Sequence, residues 1–268
     1  MKIPFFSNLG KSKMVIHMIS GTDVGLKRKQ NQDCCFPLPG SVETSDNNPL
    51  MVVADGMGGL ASGEIASKTA VDSISSELLN DSTDLESINE KGLLNLLGRC
   101  LEKANQEICD LGDENLRGGM GTTCTLGLVA KNKLYLAHIG DSRAYLYREG
   151  ILTQVTQDHS LIEEQLSAGY ITEEEADNHP KKNIITRALG IDREISPQID
   201  TLDLQAGDKL LFCSDGLHGL VPDAEISDLL SKENITHTVG SLISRANDLG
   251  GDDNIAVIVG HVLPVTNK

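Results

Sequence analysis

Tryptophan is absent, and aromatic residues make up only 3% of the 268-residue chain. A surface that stacks single-stranded bases needs such rings, so composition excludes that class of nucleic-acid binder. Basic residues are also few: 23 Lys and Arg stand against 39 Asp and Glu, a formal net charge of −16. That field repels phosphate backbones and anionic lipid, which predicts no nucleic-acid partner and no membrane. No run approaches the roughly 18 apolar residues of a membrane span, and the opening MKIPFFSNLGKSK has too short an apolar patch for a signal-peptide core. None of the six cysteines forms a C-x-x-C pair, and Cys34 beside Cys35 is a poor start for a disulfide framework. Cys109 and Cys124 sit among apolar neighbours and read as core hydrophobes. These absences predict a soluble, cytoplasmic protein with reduced thiols. A Walker loop is missing too, since GMGGLASGE has the glycines but no Gly-Lys-Ser/Thr. No cysteine lies in a phosphate-cradling loop, and nothing resembles a Ser-His-Asp hydrolase.

What is present suits one globular core. A tail over 1–13 precedes a single domain over 14–264, undivided by repeats or Pro/Ser-rich linkers. Nearly continuous apolar runs predict buried strands at 50–54, 122–129, 134–138, 143–147, 209–213 and 255–262. Ala66, Ala70, Ile74 and Leu78 form one helical stripe, and Leu93, Leu97, Leu101, Ala104 and Ile108 a second. Shorter helices are predicted over 158–168, 172–177, 222–231 and 236–248, and loops over 41–48, 81–90 and 113–121. Strands come in groups without strict β-α alternation, which predicts an α+β fold of two packed, mainly antiparallel sheets covered by helices. The polar stretch 157–186 reads as an appended helical flap.

One local pattern recurs. An apolar strand ends and an Asp follows beside a Gly, at Asp55, Asp141 and Asp215; at Asp252 and Asp253 the order is reversed. Any single Asp-Gly is ordinary turn chemistry. Four instances at the edges of buried strands can instead bring carboxylates to one point, where they repel unless cations lie between them. All-oxygen ligation without His or Cys at ligand spacing points to Mg²⁺ or Mn²⁺. A pair of such ions is a device for hydrolysing phosphate esters. Upstream, Arg28 lies in the basic cluster Lys27–Lys29, five residues before Asp33. It reads either as part of a solvated turn or as a bidentate clamp on a phosphate monoester.

Seven blocks in order carry a family resemblance: GLKRKQNQD (25–33), VADGMGG (53–59), GMGTT (119–123), HIGDSRAYL (138–146), TQDHS (156–160), CSDGL (213–217) and GDDN (251–254). Together they resemble the metal-dependent, type-2C family of protein serine/threonine phosphatases, in its bacterial form, almost end to end. The resemblance implies a four-layer αββα sandwich with two Mn²⁺ or Mg²⁺ ions in the cleft between the sheets. It implies hydrolysis of phosphoserine and phosphothreonine by a water activated between the ions, without a covalent phosphoenzyme. Asp55 would bridge both ions, Gly56 would lend its carbonyl, and Asp215 and Asp253 would complete the first ion's set. Arg28 would hold the substrate phosphate. Asp141 matches the position that binds a third, weaker ion, and Asn183 lies where a flap ligand is found, although its residue type departs from the pattern.

Two further departures concern chemistry. Gln32 stands where animal-type members have Glu, which moves the ligand role to Asp33, directly or through water. Met57 replaces a His proposed there as general acid, and Met cannot donate a proton. His159 reads as structural; His179, before Pro180 in the flap, reads first as an ordinary surface histidine and only secondarily as one within reach of a substrate. The implied partners are phosphoproteins made by a serine/threonine kinase, and a monomer is expected because nothing in the sequence announces an oligomer interface. The alternatives are a catalytically silent metal-binding regulatory module of the same fold, and a calcium-stabilised scaffold, for which the spaced ligands of an EF-hand are missing.

Overall fold

The computed structural model describes residues 14–45, 48–58, 62–80, 85–114, 119–177, 179–181 and 184–265. The tail expected over 1–13 lies outside them. In chain order the elements are β1 (Met14–Asp23), β2 (Asp33–Phe36), β3 (Val42–Ser45), β4 (Leu50–Met57), α1 (Ser62–Leu78) and α2 (Glu90–Glu114). Strands β5 (Gly121–Thr122), β6 (Cys124–Ala130), β7 (Lys133–Ile139), β8 (Arg143–Arg148) and β9 (Ile151–Gln154) follow, then α3 (Leu161–Ser167) and α4 (Glu173–Asp177). The chain closes with β10 (Gln198–Asp203), β11 (Lys209–Cys213), α5 (Asp215–His218), α6 (Asp223–Leu230), α7 (Ile235–Asp248) and β12 (Ile255–Pro264).

Two antiparallel sheets result, one ordered β3-β1-β12-β11-β8-β9 and the other β10-β7-β6-β4-β2, with β5 on β4. Period-two alternation on doubly buried strands assigns each side chain to a layer. On β4, Leu50, Val52 and Ala54 pack with the α1 and α2 stripes of Ala66, Ala70, Ile74, Leu93 and Leu97. The intervening Met51 and Val53 face the other sheet and meet Ile16, Met18, Phe212 and Ile258. On the far side, Leu211, Val257 and Val259 pack against Val239, Leu242 and Ala246 of α7. Three apolar layers between helices, sheet, sheet and helices make the expected αββα sandwich. The sheets approach closely enough that a Cβ on Gly127 would lie 2.4 Å from Phe212 Cζ. No described helix is long and apolar enough to cross a membrane.

The loop readings need correction at two points. Residues 41–48 are not all loop, because β3 pairs with β1 from Ile16↔Ser45 to Ile19↔Val42. As an edge strand its V-E-T-S sequence has an exposed face and no apolar run to announce it. The stretches 81–90 and 113–121 are shortened by α2, whose first turn opens with the Asn89 side chain accepting from the Gly92 amide at 2.8 Å. Segment 157–186 carries α3, capped by Ser160 Oγ accepting from the Glu163 amide, and α4. Its base is closed where Leu161 N donates to the Ile184 carbonyl and Thr186 N to that of His159.

Candidate metal centre

Five of the acidic residues singled out from the sequence come from both sheets. Asp33 opens β2 directly opposite Asp55 in the β2–β4 ladder, so both side chains leave the same sheet face. Asp215 starts α5 just past β11, and Asp253 lies two residues before β12, the neighbour of β11. Asp141 sits in the turn Gly140–Ser142, where the chain passes from β7 in one sheet to β8 in the other. Gly140 takes φ +112 there, and a Cβ on it would lie 2.5 Å from Thr123 Cβ, so the turn needs glycine on both counts.

Asp141 is buried, the other four are half-buried, and the carboxylates feel one another. Burial, opposed by the Ser214 hydroxyl and aided by Asp215, raises the Asp33 carboxyl to about 7. Asp55 is pushed well above the ordinary carboxylate range by burial, then by the charges of Asp33, Asp215 and Asp141. Burial, with Asp215 and Asp158 nearby, raises Asp141 to about 8. Asp215 is raised by burial and then by Asp253. Among the described residues, Asp33 Oδ1, Asp141 Oδ1 and Asp215 Oδ1 are buried without a hydrogen-bond donor. Oxygens left in this way cost free energy unless something positive meets them. A hard divalent cation with oxygen ligands fits that donor set. No trio of His, Cys or acidic side chains among the described residues closes on one point as a ready-made cage; Asp253 Oδ2 instead accepts from Arg28 at 2.6 Å. That hydrogen bond raises the Arg28 guanidinium, with the charges of Asp215 and Asp55 adding to it.

The supports of the cluster were not singled out in the sequence. Thr123 Oγ1 accepts from the Asp55 amide at 3.0 Å, and Thr122 Oγ1 donates to the Asp55 carbonyl at 2.8 Å. Thr123 Oγ1 lies 2.7 Å from Ser142 Oγ, tying the Asp55 strand to the Asp141 turn. Ser214 Oγ donates to Asp33 Oδ2 at 2.6 Å, joining one sheet's carboxylate to the other sheet's strand end. His218 Nε2 lies 2.9 Å from the Asp141 carbonyl, and burial beside Arg143 holds its ring neutral. The only sequence signal for these groups was their place inside the GTT, GDS and CSDGL blocks. Gly56 has no room for a side chain, since a Cβ would lie 2.1 Å from the Gly63 carbonyl oxygen and 2.6 Å from that of Gln32.

A cleft of about 470 Å³ opens on Asp141, Asp215 and Asp253 on one side and on Ile162 and Leu166 of α3 on the other. Arg28, Asp33 and Asp55 lie outside its lining. His159 is a structural residue: it is 7% exposed and its Nδ1 accepts from the Gly140 amide at 3.1 Å, bracing the Asp141 turn. His179 Nδ1 accepts from the Lys181 amide two residues on. Asn183 lies outside the described residues. All six cysteines are free.

The sequence pattern of the protein phosphatase 2C family matches residues 24–256. The serine/threonine phosphatase stp of Listeria monocytogenes is 37% identical over 246 residues, covering 91% of this chain and 95% of that protein. Among solved structures, the serine/threonine phosphatase PstP/Ppp of Mycobacterium tuberculosis superimposes with a TM-score of 0.83 at 36% identity, covering 94% of this chain and 100% of that one. The catalytic domain of PstP in complex with two manganese ions gives 0.80 at 33% identity, covering 93% and 99%. Pattern, sequence and sandwich coincide over the segment that carries every acidic residue of the cluster, and the chain belongs to the protein phosphatase 2C family.

Proposed function

We infer that this chain is a metal-dependent protein serine/threonine phosphatase, a hydrolase of phosphoserine and phosphothreonine in proteins. The observation that carries the reading is one cluster of carboxylates drawn from both sheets, three of them with orphaned buried oxygens, with Arg28 hydrogen-bonded to another, Asp253. Asp55, the Gly56 carbonyl, Asp215 and Asp253 would hold two Mn²⁺ or Mg²⁺ ions, with Asp33 contributing directly or through water and Asp141 available to a third. When bound, such ions activate a water and neutralise charge on the phosphoryl group. Arg28 binds and orients the phosphate, for which its planar fork is suited. Thr122 and Thr123 fix the Asp55 backbone and Ser214 fixes the Asp33 carboxylate, so that little reorganisation accompanies the reaction. Met57 has no proton to give to the leaving alkoxide.

The 157–186 segment acts as a flap within one domain spanning 14–264; the cleft between α3 and the acidic cluster supports this reading. The substrates are products of a serine/threonine kinase, and the protein works as a cytoplasmic monomer, a reading supported by its free thiols and strong negative charge. Hydrolysis of p-nitrophenyl phosphate and of a phosphothreonine peptide, in EDTA and then with Mn²⁺ or Mg²⁺, tests the assignment. Activity on both is expected to vanish with chelator and return with metal. Turnover indifferent to EDTA would overturn the metal assignment, and no turnover with either ion would favour the silent regulatory module.

A further inference from the structure

We propose that Asn254 is the positioning residue for the phosphate-binding arginine: it sets the loop 24–32 that presents Arg28. The inference rests on the reading of Arg28 given above. The Asn254 side chain is 4% exposed and every one of its polar atoms is used. Its Nδ2 donates to the Val24 and Gln30 carbonyls, both at 2.9 Å, and its Oδ1 accepts from the Gln32 amide at 2.7 Å. These contacts bracket Arg28 from both sides, across sequence separations of 222 to 230 residues. Only a side-chain amide offers two donors and an acceptor on so short a stem; Asp, Ser and Ala at this place each leave at least one of these three backbone groups without its Asn254 partner.

The rest of the loop follows that frame. Leu26 and Lys27 amides donate to the Gly251 carbonyl, and the Gly25 amide donates to Asp23 Oδ1. At its far end the Gln32 carbonyl accepts from the Gly56 amide and from Ser67 Oγ. The Asn254 backbone amide also donates to Asp253 Oδ1 at 2.8 Å. One residue thus carries the loop of Arg28 and the carboxylate that faces it, so their separation is set through a rigid strand end and not by the long Arg28 side chain, which is 53% exposed.

The test compares Asn254→Ala, Arg28→Ala and the double variant on p-nitrophenyl phosphate, with Mn²⁺ binding measured by calorimetry. Arg28→Ala is expected to raise KM about tenfold or more, the loss typical of a charged hydrogen-bond partner. Asn254→Ala is expected to raise KM by a smaller factor, about three- to tenfold, with kcat nearly kept and Mn²⁺ affinity within about threefold of the parent. In the Arg28→Ala background, Asn254→Ala should then add nothing to KM, because residues acting through one another are not additive. Independent, multiplying effects on KM would overturn the proposal, as would an Mn²⁺ affinity that falls in step with the rise in KM. If Arg28→Ala leaves KM unchanged, the phosphate role of Arg28 fails and this inference with it. Asn254→Ser keeps one hydroxyl for the loop and serves if the alanine variant does not fold; a parental KM in that variant also overturns the proposal.

Discussion

Replacing Asp141 by Asn should stabilise the protein in chelator at neutral pH, although it removes a side chain proposed above to serve a third ion. Asp141 is 8% exposed and its Oδ1 meets no donor among the described residues. Burial, with Asp215 and Asp158 adding, holds its carboxyl at about 8 in the folded protein, against about 3.9 in an unfolded chain. The folded state therefore keeps a proton that the unfolded state releases. The resulting penalty is absent below about pH 4 and grows as the pH rises toward 8. At about 1.36 kcal/mol per pH unit, the interval from pH 4 to pH 7 gives a ceiling of about 4 kcal/mol. Rotation of the carboxylate into the cleft it lines, and the solvent there, reduce this to about 1–2 kcal/mol. For a domain of this size that is a rise in Tm of roughly 2–8 °C. Calorimetric unfolding of Asp141→Asn and parent in EDTA, at pH 5 and pH 7.5, reads the difference directly. The variant's advantage should widen between the two pH values, and added Mn²⁺ should stabilise the parent more. An equal gap at both pH values, or a variant less stable than the parent at pH 7.5, would refute the argument that repulsion and burial of this carboxylate strain the fold.

Asp55→Asn keeps volume and removes one negative charge from the centre of the cluster, so it should cut hydrolysis by about a thousandfold or more while the circular dichroism spectrum is unchanged; substantial remaining turnover would remove Asp55 from the site. Gly25→Ala should cost more than about 1 kcal/mol in urea unfolding, because Gly25 holds φ +74 and a Cβ there would lie 2.2 Å from the Asp253 carbonyl oxygen. Gly40→Ala, at φ +79 with open space around it, is the control, and equal losses at the two positions would show that the contact with Asp253 does not matter.

Strands buried on both faces were legible because apolar runs such as Leu50–Ala54 and Ile255–Val259 have no other use in an acidic chain. Those the sequence concealed are partly solvated. β3 and β10, at the edges of the two sheets, read as V-E-T-S and Q-I-D-T-L-D, and β1 mixes His17, Ser20, Gly21 and Thr22 into its apolar positions. The acidic residues announced themselves through repetition at strand ends. Their supports did not, since Ser214 reaches Asp33 across 181 residues and Thr123 reaches Asp55 across 68. Ser and Thr are too common for such pairings to be read from spacing. Asn254 was visible as part of GDDN, but its three partners lie near the opposite end of the chain.

The ladder between β1 and β12 runs through ten residue pairs, from Met14↔Pro264 to Asp23↔Ile255, and Arg28 meets Asp253 across 225 residues. During translation the loop that presents Arg28 leaves the ribosome long before the strand that anchors it. Until that strand arrives, β1 lacks its long partner, and the Val24, Gln30 and Gln32 backbone groups have no Asn254 to meet. Pairings of such separation carry a large loop-closure entropy and form late. The loop that presents Arg28 therefore takes its final shape only once β12 and the residues just before it are in place.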